Sequence, residues 1–513
     1  MEQNHSANTK RIAKNTLILY GRMLLSMAVA LFTTRVVLDT LGASDYGIYN
    51  LVGGVVGLMG VVTSLLSQGT SRFITIALGK NNFEGLKHTF SASVTIHLLL
   101  AAIILVIGET VGPLIVNGLN IPVDRIGAAQ FVFQLSLLSS IVGIVQSPYN
   151  AAIVAHERMS VYAYISIWDV VAKLSIVYIL TIIDVDKLKL YSLLFFFVGI
   201  VTAMICRFYS RKHFDECRSI VLRIDNKLYK EILNYTGWNA VGSLAFTMNG
   251  QGITILLSSF GTAVNAARGI AGSASGIVYK FVEGFQIASR PQIIKLCAVG
   301  DYVAMNNLIT QISRFSSYLI GIIGIPLFLE MDFVLQIWLK EVPAYTVVFT
   351  RLTLIQFLIQ SMDFPLGTGI HAVGKMKLPN ITSSFIYMII LPISYIAIKS
   401  GASPEVAYVM IVAVYPMAML MDLYIIKKYT GFKVCQFLLS VVLKSILFIV
   451  FTGIITYNIV NYMVDGGFER VIVTVLLSSF IFSLLVYIWG LTHDDKKLVK
   501  KIIVSRLEKL INK

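Results

Sequence analysis

Apolar runs about 20 residues long recur along the chain, and its lysines and arginines fall almost wholly into alternate gaps between them. A helix needs roughly 20 apolar residues to cross the hydrocarbon of a bilayer, and short basic loops stay on the cytoplasmic side. The pattern predicts an all-α, polytopic membrane protein and gives it a direction. With 56% hydrophobic and only 13% charged residues, the chain lies far from the ~25% charge of a soluble domain.

Spans are expected near 16–38, 47–67, 89–108, 126–146, 160–182, 188–206, 236–258, 264–288, 308–329, 345–363, 378–398, 405–426, 437–460 and 471–490. Fourteen spans put both termini on one side. One set of connections carries thirty basic residues, the other only Arg125, Lys187, Lys189, Lys340, Lys399 and Arg470. That bias assigns both termini to the cytoplasm. The opening MEQNHSANTKRIAKN and the apolar run after it imitate a secretion signal, but the run continues to Leu38, so an uncleaved first span is expected.

A weak internal repeat supports two halves. Leu41-Gly42 returns as Phe260-Gly261, Ser71-Arg72 as Ser289-Arg290, and Ile121-Pro122 as Val342-Pro343, at offsets of 218 to 221 residues. The expected organisation is an N-lobe over 1–206 and a basic cytoplasmic linker over 207–235. A C-lobe over 236–430, two further helices over 431–490 and a tail over 491–513 follow. Parallel repeats of this kind mark transporters. In the tail, Leu498, Ile502, Leu507 and Leu510 share a helical face bordered by lysines, the pattern of a helix lying in the membrane interface.

The net charge of +15 sits in short loops and tails without an aromatic-basic platform, so lipid headgroups explain it better than nucleic acid. Cys206, Cys217, Cys297 and Cys435 form no CxxC and are expected to be reduced. No HExxH, GxSxG or P-loop is present, so neither catalytic residues, a resident metal nor a cofactor is expected. Asp184-Val185-Asp186 imitates a metal-binding DxD but lies in a short loop beside Lys187 and Lys189.

Function is therefore sought in polar groups within spans, where a centred charge costs about 2.5–3.5 kcal/mol even on lenient scales. Asp169 and Lys173, four apart, can pair on one helix face. Lys280 and Glu283, three apart, either neutralise each other or line a cavity. Arg35, near the outer end of the first span, can snorkel to headgroups, whereas Arg22 lies deeper. Arg268 stands in a span rich in Gly, Ala and Ser, and the preceding span adds Asn239, Asn249 and Gln251. Amides and guanidinium forks together suit a wet, anionic glycan ligand; they equally suit hydrogen bonds between helices.

VVLDTLGASDYGIYNL in 36–51, SQGTSRFITIALGK in 67–80, SRPQIIKLCAVGDY in 289–302 and IPLFLEMDFVLQIWLKEVPAY in 325–345 make the chain resemble bacterial polysaccharide flippases. These are Wzx-like O-antigen transporters of the multidrug, oligosaccharidyl-lipid and polysaccharide exporter superfamily. The resemblance implies two six-helix lobes around a cavity plus two further helices, in the bacterial inner membrane. It implies alternating access that moves an undecaprenyl-diphosphate-linked oligosaccharide between leaflets. Arg22 and Arg268 are then the first candidates to hold the diphosphate, with Lys173, Lys280 and Arg35 next and Glu283, Asn249 and Gln251 lining the cavity. Membrane lipids and other polysaccharide assembly proteins are the further partners implied. The competing readings are a cation-coupled drug or metabolite exporter, for which membrane acids in the first and seventh spans would be expected, a flippase for the peptidoglycan precursor, and a membrane-embedded glycan polymerase or ligase.

Overall fold

The computed structural model describes residues 27–54, 56–57, 70–71, 73–75, 77–78, 83–156, 158–219, 229–230, 245, 247–375, 377–463, 466–492 and 495–496. Arg22, Asn239 and the amphipathic face of the tail lie outside them. The described helices are α1 (Met27–Gly54), α2 (Phe83–Gly118), α3 (Ile126–Ala155), α4 (Met159–Ile182), α5 (Lys187–His213) and α6 (247–257). There follow α7 (Thr262–Ala298), α8 (Tyr302–Leu329), α9 (Met331–Trp338), α10 (Thr346–Ala372), α11 (Lys377–Lys399), α12 (Val406–Thr430), α13 (Val434–Met463) and α14 (Gly467–Gly490).

Eleven helices among the described residues are long and apolar enough to cross a membrane, against fourteen spans expected. The shortfall has local causes. α7 has the expected place, but its Gly, Ala, Ser and charged residues dilute its hydropathy, and ten of the 23 residues of the span expected over 236–258 lie outside the described residues. The first two expected spans meet in α1, where Gly42 has φ +77°. A right-handed helix cannot pass through that conformation without changing direction, so the chain turns there. Gly261, at φ +101°, marks the corresponding turn before α7. Pro113, Pro148, Pro326, Pro365, Pro392 and Pro416 lie inside helices, as spans tolerate when neighbouring groups satisfy the freed carbonyls.

The chain divides into two compact units. The first comprises 1–273, 339–346 and 380–410, the second 274–338, 347–379 and 411–513. In the first, Phe90, Val94, Tyr149, Ile153, Cys206 and Phe214 form a core between α2, α3 and α5, with the Phe90 and Tyr149 rings edge to face at 5.3 Å. α2 and α3 approach closely because Gly108 and Gly112 leave room for Leu137 and Phe133. In the second, Ile309, Met362, Leu366, Leu423, Ile426 and Phe437 join α8, α10, α12 and α13. A smaller cluster packs Tyr318, Phe448 and Phe482 together.

Contacts between connectors sort into opposite ends within each unit. In the first, Arg125 before α3 bonds Asp186 before α5 at 3.2 Å and also Asp45 beside the Gly42 turn. After α3, at the far end of a helix about 45 Å long, His156 meets buried Glu216 at 2.6 Å. In the second, Asn306 at the start of α8 bonds the Thr430 carbonyl at the end of α12, 3.1 Å. At the end of α8, Glu330 accepts from Arg470 in the first turn of α14, 3.0 Å. Within each unit these contacts fit alternating helices: α3 and α5 begin at the same end, and α8 begins where α12 ends and ends where α14 begins. The six basic residues of the sparse set include four held by carboxylates: Arg125 and Lys189 by Asp186, Lys340 by Asp39, and Arg470 by Glu330. These exceptions to the charge rule are neutralised charges. Burial raises the Asp186 carboxyl, but the Lys189 N–H and the Arg125 guanidinium outweigh it and hold it below its ordinary range.

Candidate functional site

The first unit gathers a polar cluster where α6, α7 and α12 meet. Arg268 Nε donates to Thr254 Oγ1 at 2.9 Å, Nη2 to the Gly250 carbonyl at 2.8 Å, and Nη1 to Tyr408 Oη at 3.2 Å. Its guanidinium also lies 5.6 Å from the Tyr408 ring centre. Three of the five N–H donors of an arginine are thus used, which leaves one on each Nη. Gln251 lies against the end of α1, where a Cβ on Gly54 would come within 2.6 Å of its Oε1, and against Gly57 beyond it, where a Cβ would come within 3.3 Å of its Nε2. The glycines make the space that this amide fills.

Asn249 is buried, and its Oδ1 has no hydrogen-bond partner among the described residues. Asn265, one turn before Arg268, is fully buried with both amide atoms in the same state. Unsatisfied buried amides are costly and commonly signal a water or a ligand. Sequence reasoning selected Asn249 but passed over Asn265, although an Asn between two apolar turns of a predicted span was a visible signal.

Of the other predicted residues, Lys173 and Asp169 pair at 2.6 Å, each about a third exposed, and the ammonium also lies 4.8 Å from the Phe195 ring centre. Arg35 is exposed on α1. Lys280, exposed, and Glu283, half-buried, belong to the second unit and are not paired with one another. The structure thus brings Arg268 and Gln251 onto Thr254, which approaches Gln251 Oε1 at 3.5 Å.

The second unit holds a group that sequence reasoning missed. Asp363 on α10 and Asp422 on α12 are close enough for their charges to interact. The Oδ1 atom of each is shut off from solvent without a hydrogen-bond partner among the described residues. The backbone just before Asp363 is tied down by two bonds. Buried Gln286 donates to the Ser361 carbonyl at 2.7 Å and to Ser316 Oγ at 3.0 Å, and Ser313 donates to the Met362 carbonyl at 2.8 Å. Two carboxylates in such surroundings are suited to share a proton or a cation, which removes the repulsion between their charges. The signal was one Asp in each of two apolar runs, LIQSMDFPLG and AMLMDLYII.

The arrangement defines a polytopic α-helical membrane protein with buried polar clusters and no enzyme motif, which matches the fold of known exporters and flippases. The MatE family model matches residues 20–179. The chain shares its fold with a solved lipid II flippase, MurJ, in an inward closed conformation, at 12% identity and TM-score 0.71, covering 92% of this chain and 98% of that one. A multidrug resistance MATE family transporter of the MOP superfamily, inward-facing, aligns at 12% identity and TM-score 0.65, covering 80% and 98%. Its outward-facing form aligns at 13% identity and TM-score 0.58, covering 82% and 96%. No curated protein matches the sequence.

Proposed function

We propose that the chain is a transporter that flips undecaprenyl-diphosphate-linked oligosaccharide units, precursors of a surface polysaccharide, from the inner to the outer leaflet of the cytoplasmic membrane, with both termini in the cytoplasm. The observation that carries the reading is the extent of the fold likeness. The lipid II flippase accounts for 92% of this chain, the multidrug transporters for 80% and 82%. The basic bias of alternate connectors and the motif resemblance point the same way. Arg268, with two N–H donors unused among the described residues, and Arg22 are the residues proposed to grip the diphosphate. Lys173, Lys280 and Arg35 are next, and Glu283, Asn249 and Gln251 are proposed to line the path of the sugars.

One observation favours a second reading. The Asp363–Asp422 pair, with the Oδ1 of each shut off from solvent, is suited to take up a proton or a cation, as a cation-coupled exporter of small molecules requires; it would equally serve an ion-driven flippase. The test is surface glycan in a deletion strain carrying wild type or Arg268→Ala, with membrane levels of each protein checked. Loss of glycan together with accumulation of lipid-linked repeat units inside is expected for the deletion and the variant. Unchanged glycan in the deletion strain sinks the flippase reading and promotes the exporter.

A further inference from the structure

In the second unit α7 and α10 run side by side in the same direction, because their contacts advance together along both helices. Ser275 Oγ donates to the Thr350 carbonyl at 3.3 Å, the Tyr279 and Phe357 rings stack at 4.7 Å, and Gln286 donates to the Ser361 carbonyl at 2.7 Å. The next step of the series is different in kind: the Arg290 guanidinium lies 4.8 Å from the centre of the Phe364 ring. His371, further along α10, is close enough for its charge to interact with that of Arg290. Both side chains are exposed, and neither has an ion pair or a side-chain hydrogen bond among the described residues.

Depth and charge set these two residues apart. Arg290 stands about 42 Å along α7 from Thr262, and His371 about 38 Å along α10 from Thr346. A hydrocarbon core is ~30 Å thick, so both reach the level of lipid phosphates. No Asp or Glu occurs in 284–300 or in 364–404, whereas Arg290, Lys295, Lys375 and Lys377 do. The acid next to Phe364, Asp363, interacts with Asp422. At the other end of this unit Glu330 neutralises Arg470; Arg290 keeps its full charge.

An arginine stacked on an aromatic face has its plane fixed and its N–H edge turned outward, and the five donors of Arg290 are unused among the described residues. The brace is itself held, because Gln286 and Ser313 fix the Ser361 and Met362 carbonyls just before Phe364. A fixed, unneutralised guanidinium beside an imidazole suits a group with several charged oxygens better than the single charge of a phosphodiester. We propose that Arg290, braced by Phe364 and assisted by His371, binds the diphosphate of a lipid still anchored in the inner leaflet, as a site separate from the Arg268 cluster of the first unit. The proposal rests on the flippase reading above and gives it an entry step: Arg290 takes the diphosphate before it leaves the headgroup layer.

The full chain, purified in detergent, is titrated with undecaprenyl diphosphate and, separately, with phosphatidylglycerol, and binding is read by native mass spectrometry. Arg290→Gln is expected to weaken binding of the diphosphate about tenfold, the loss of one charge-assisted contact, and to leave phosphatidylglycerol unchanged. Arg290→Lys, which keeps the charge without the planar fork, is expected to fall between. His371→Gln, with a smaller loss expected, is the second variant should Arg290→Gln fail to accumulate. Wild-type affinity for undecaprenyl diphosphate in the variant overturns the site. Equal weakening of both lipids makes a bilayer phosphodiester the ligand and overturns the assignment to a diphosphate. Weakened binding with full surface glycan in Arg290→Gln, where deletion of the protein abolishes glycan, overturns the entry step. Weakened binding in Arg290→Gln with glycan unchanged in the deletion strain overturns the flippase reading and supports the site.

Discussion

Arg268 in the first unit and the Asp363–Asp422 pair in the second are ionisable groups inside long helices, and the fold treats them in opposite ways. Every nitrogen of the Arg268 guanidinium bonds to the chain, through Thr254, Gly250 and Tyr408. The two aspartates each keep an oxygen without a partner among the described residues while facing a like charge. A charge in a span is therefore not by itself a site. What separates a held group from a waiting one is the state of its partners, because an unsatisfied buried group can recover its lost hydration only from something that arrives.

The largest effect that tests this contrast is expected at the acids. Asp422→Asn should weaken the dependence of transport on a proton or sodium gradient at least about tenfold, within the usual range of coupling between sites. It should not lower the melting temperature in detergent, since it removes a like-charge repulsion. A variant that melts earlier with its ion dependence intact would break the comparison and make the pair structural.

At Arg268 the two readouts should move together. Arg268→Ala strips three hydrogen bonds to a charged donor, each worth about 1.5–3 kcal/mol, so both the melting temperature and surface glycan should fall. Arg268→Lys keeps the charge but loses the planar fork and is expected to recover melting more than glycan. Equal recovery of both would assign Arg268 to packing alone.

A smaller difference is expected between two glycines of α1. Gly47→Ala places a methyl group into the Thr262 backbone and should cost about 1–3 kcal/mol as overpacking. Gly54→Ala meets the end of the Gln251 side chain, which can swing away, and should cost less than 1 kcal/mol or so on the same scale. Melting curves of the two variants check the order.

The smallest effect concerns acid. The Asp186 carboxyl titrates below its ordinary range in the folded protein, lowered by the Lys189 N–H and Arg125 against the opposing effect of burial. Its stabilising contribution is full above the unfolded aspartate value of about 3.9 and disappears as pH falls through the lower folded value. Unfolding followed between about pH 6 and pH 3 should therefore be less acid-sensitive in Asp186→Asn than in wild type; equal sensitivity would remove Asp186 from the Arg125 network.

The all-α membrane fold was legible because burial in hydrocarbon is written into composition over every 20-residue window, and the alternation of basic connectors was legible because it acts on each loop separately. The Asp169–Lys173 pair was readable for the same reason, four residues on one helix. The span count was less so: α7, with its small residues and charges, crosses below the hydropathy of its neighbours. Whether Lys280 meets Glu283, and that Arg125, Lys340 and Arg470 are neutral exceptions to the charge bias, could not be read along the chain. Their partners lie up to 301 residues away or, for Lys280 and Glu283, depend on rotamers that spacing does not set.

What the sequence by itself determined, then, is that the chain is a polytopic bundle of apolar helices, since that follows from the local transfer energy of side chains. Only the tertiary structure decided that Arg268 is bound by Tyr408, 140 residues on, that Asp363 lies near Asp422, and that Gly47 lies on Thr262. Partnership between distant polar groups is set by how helices pack, and no local propensity carries that information.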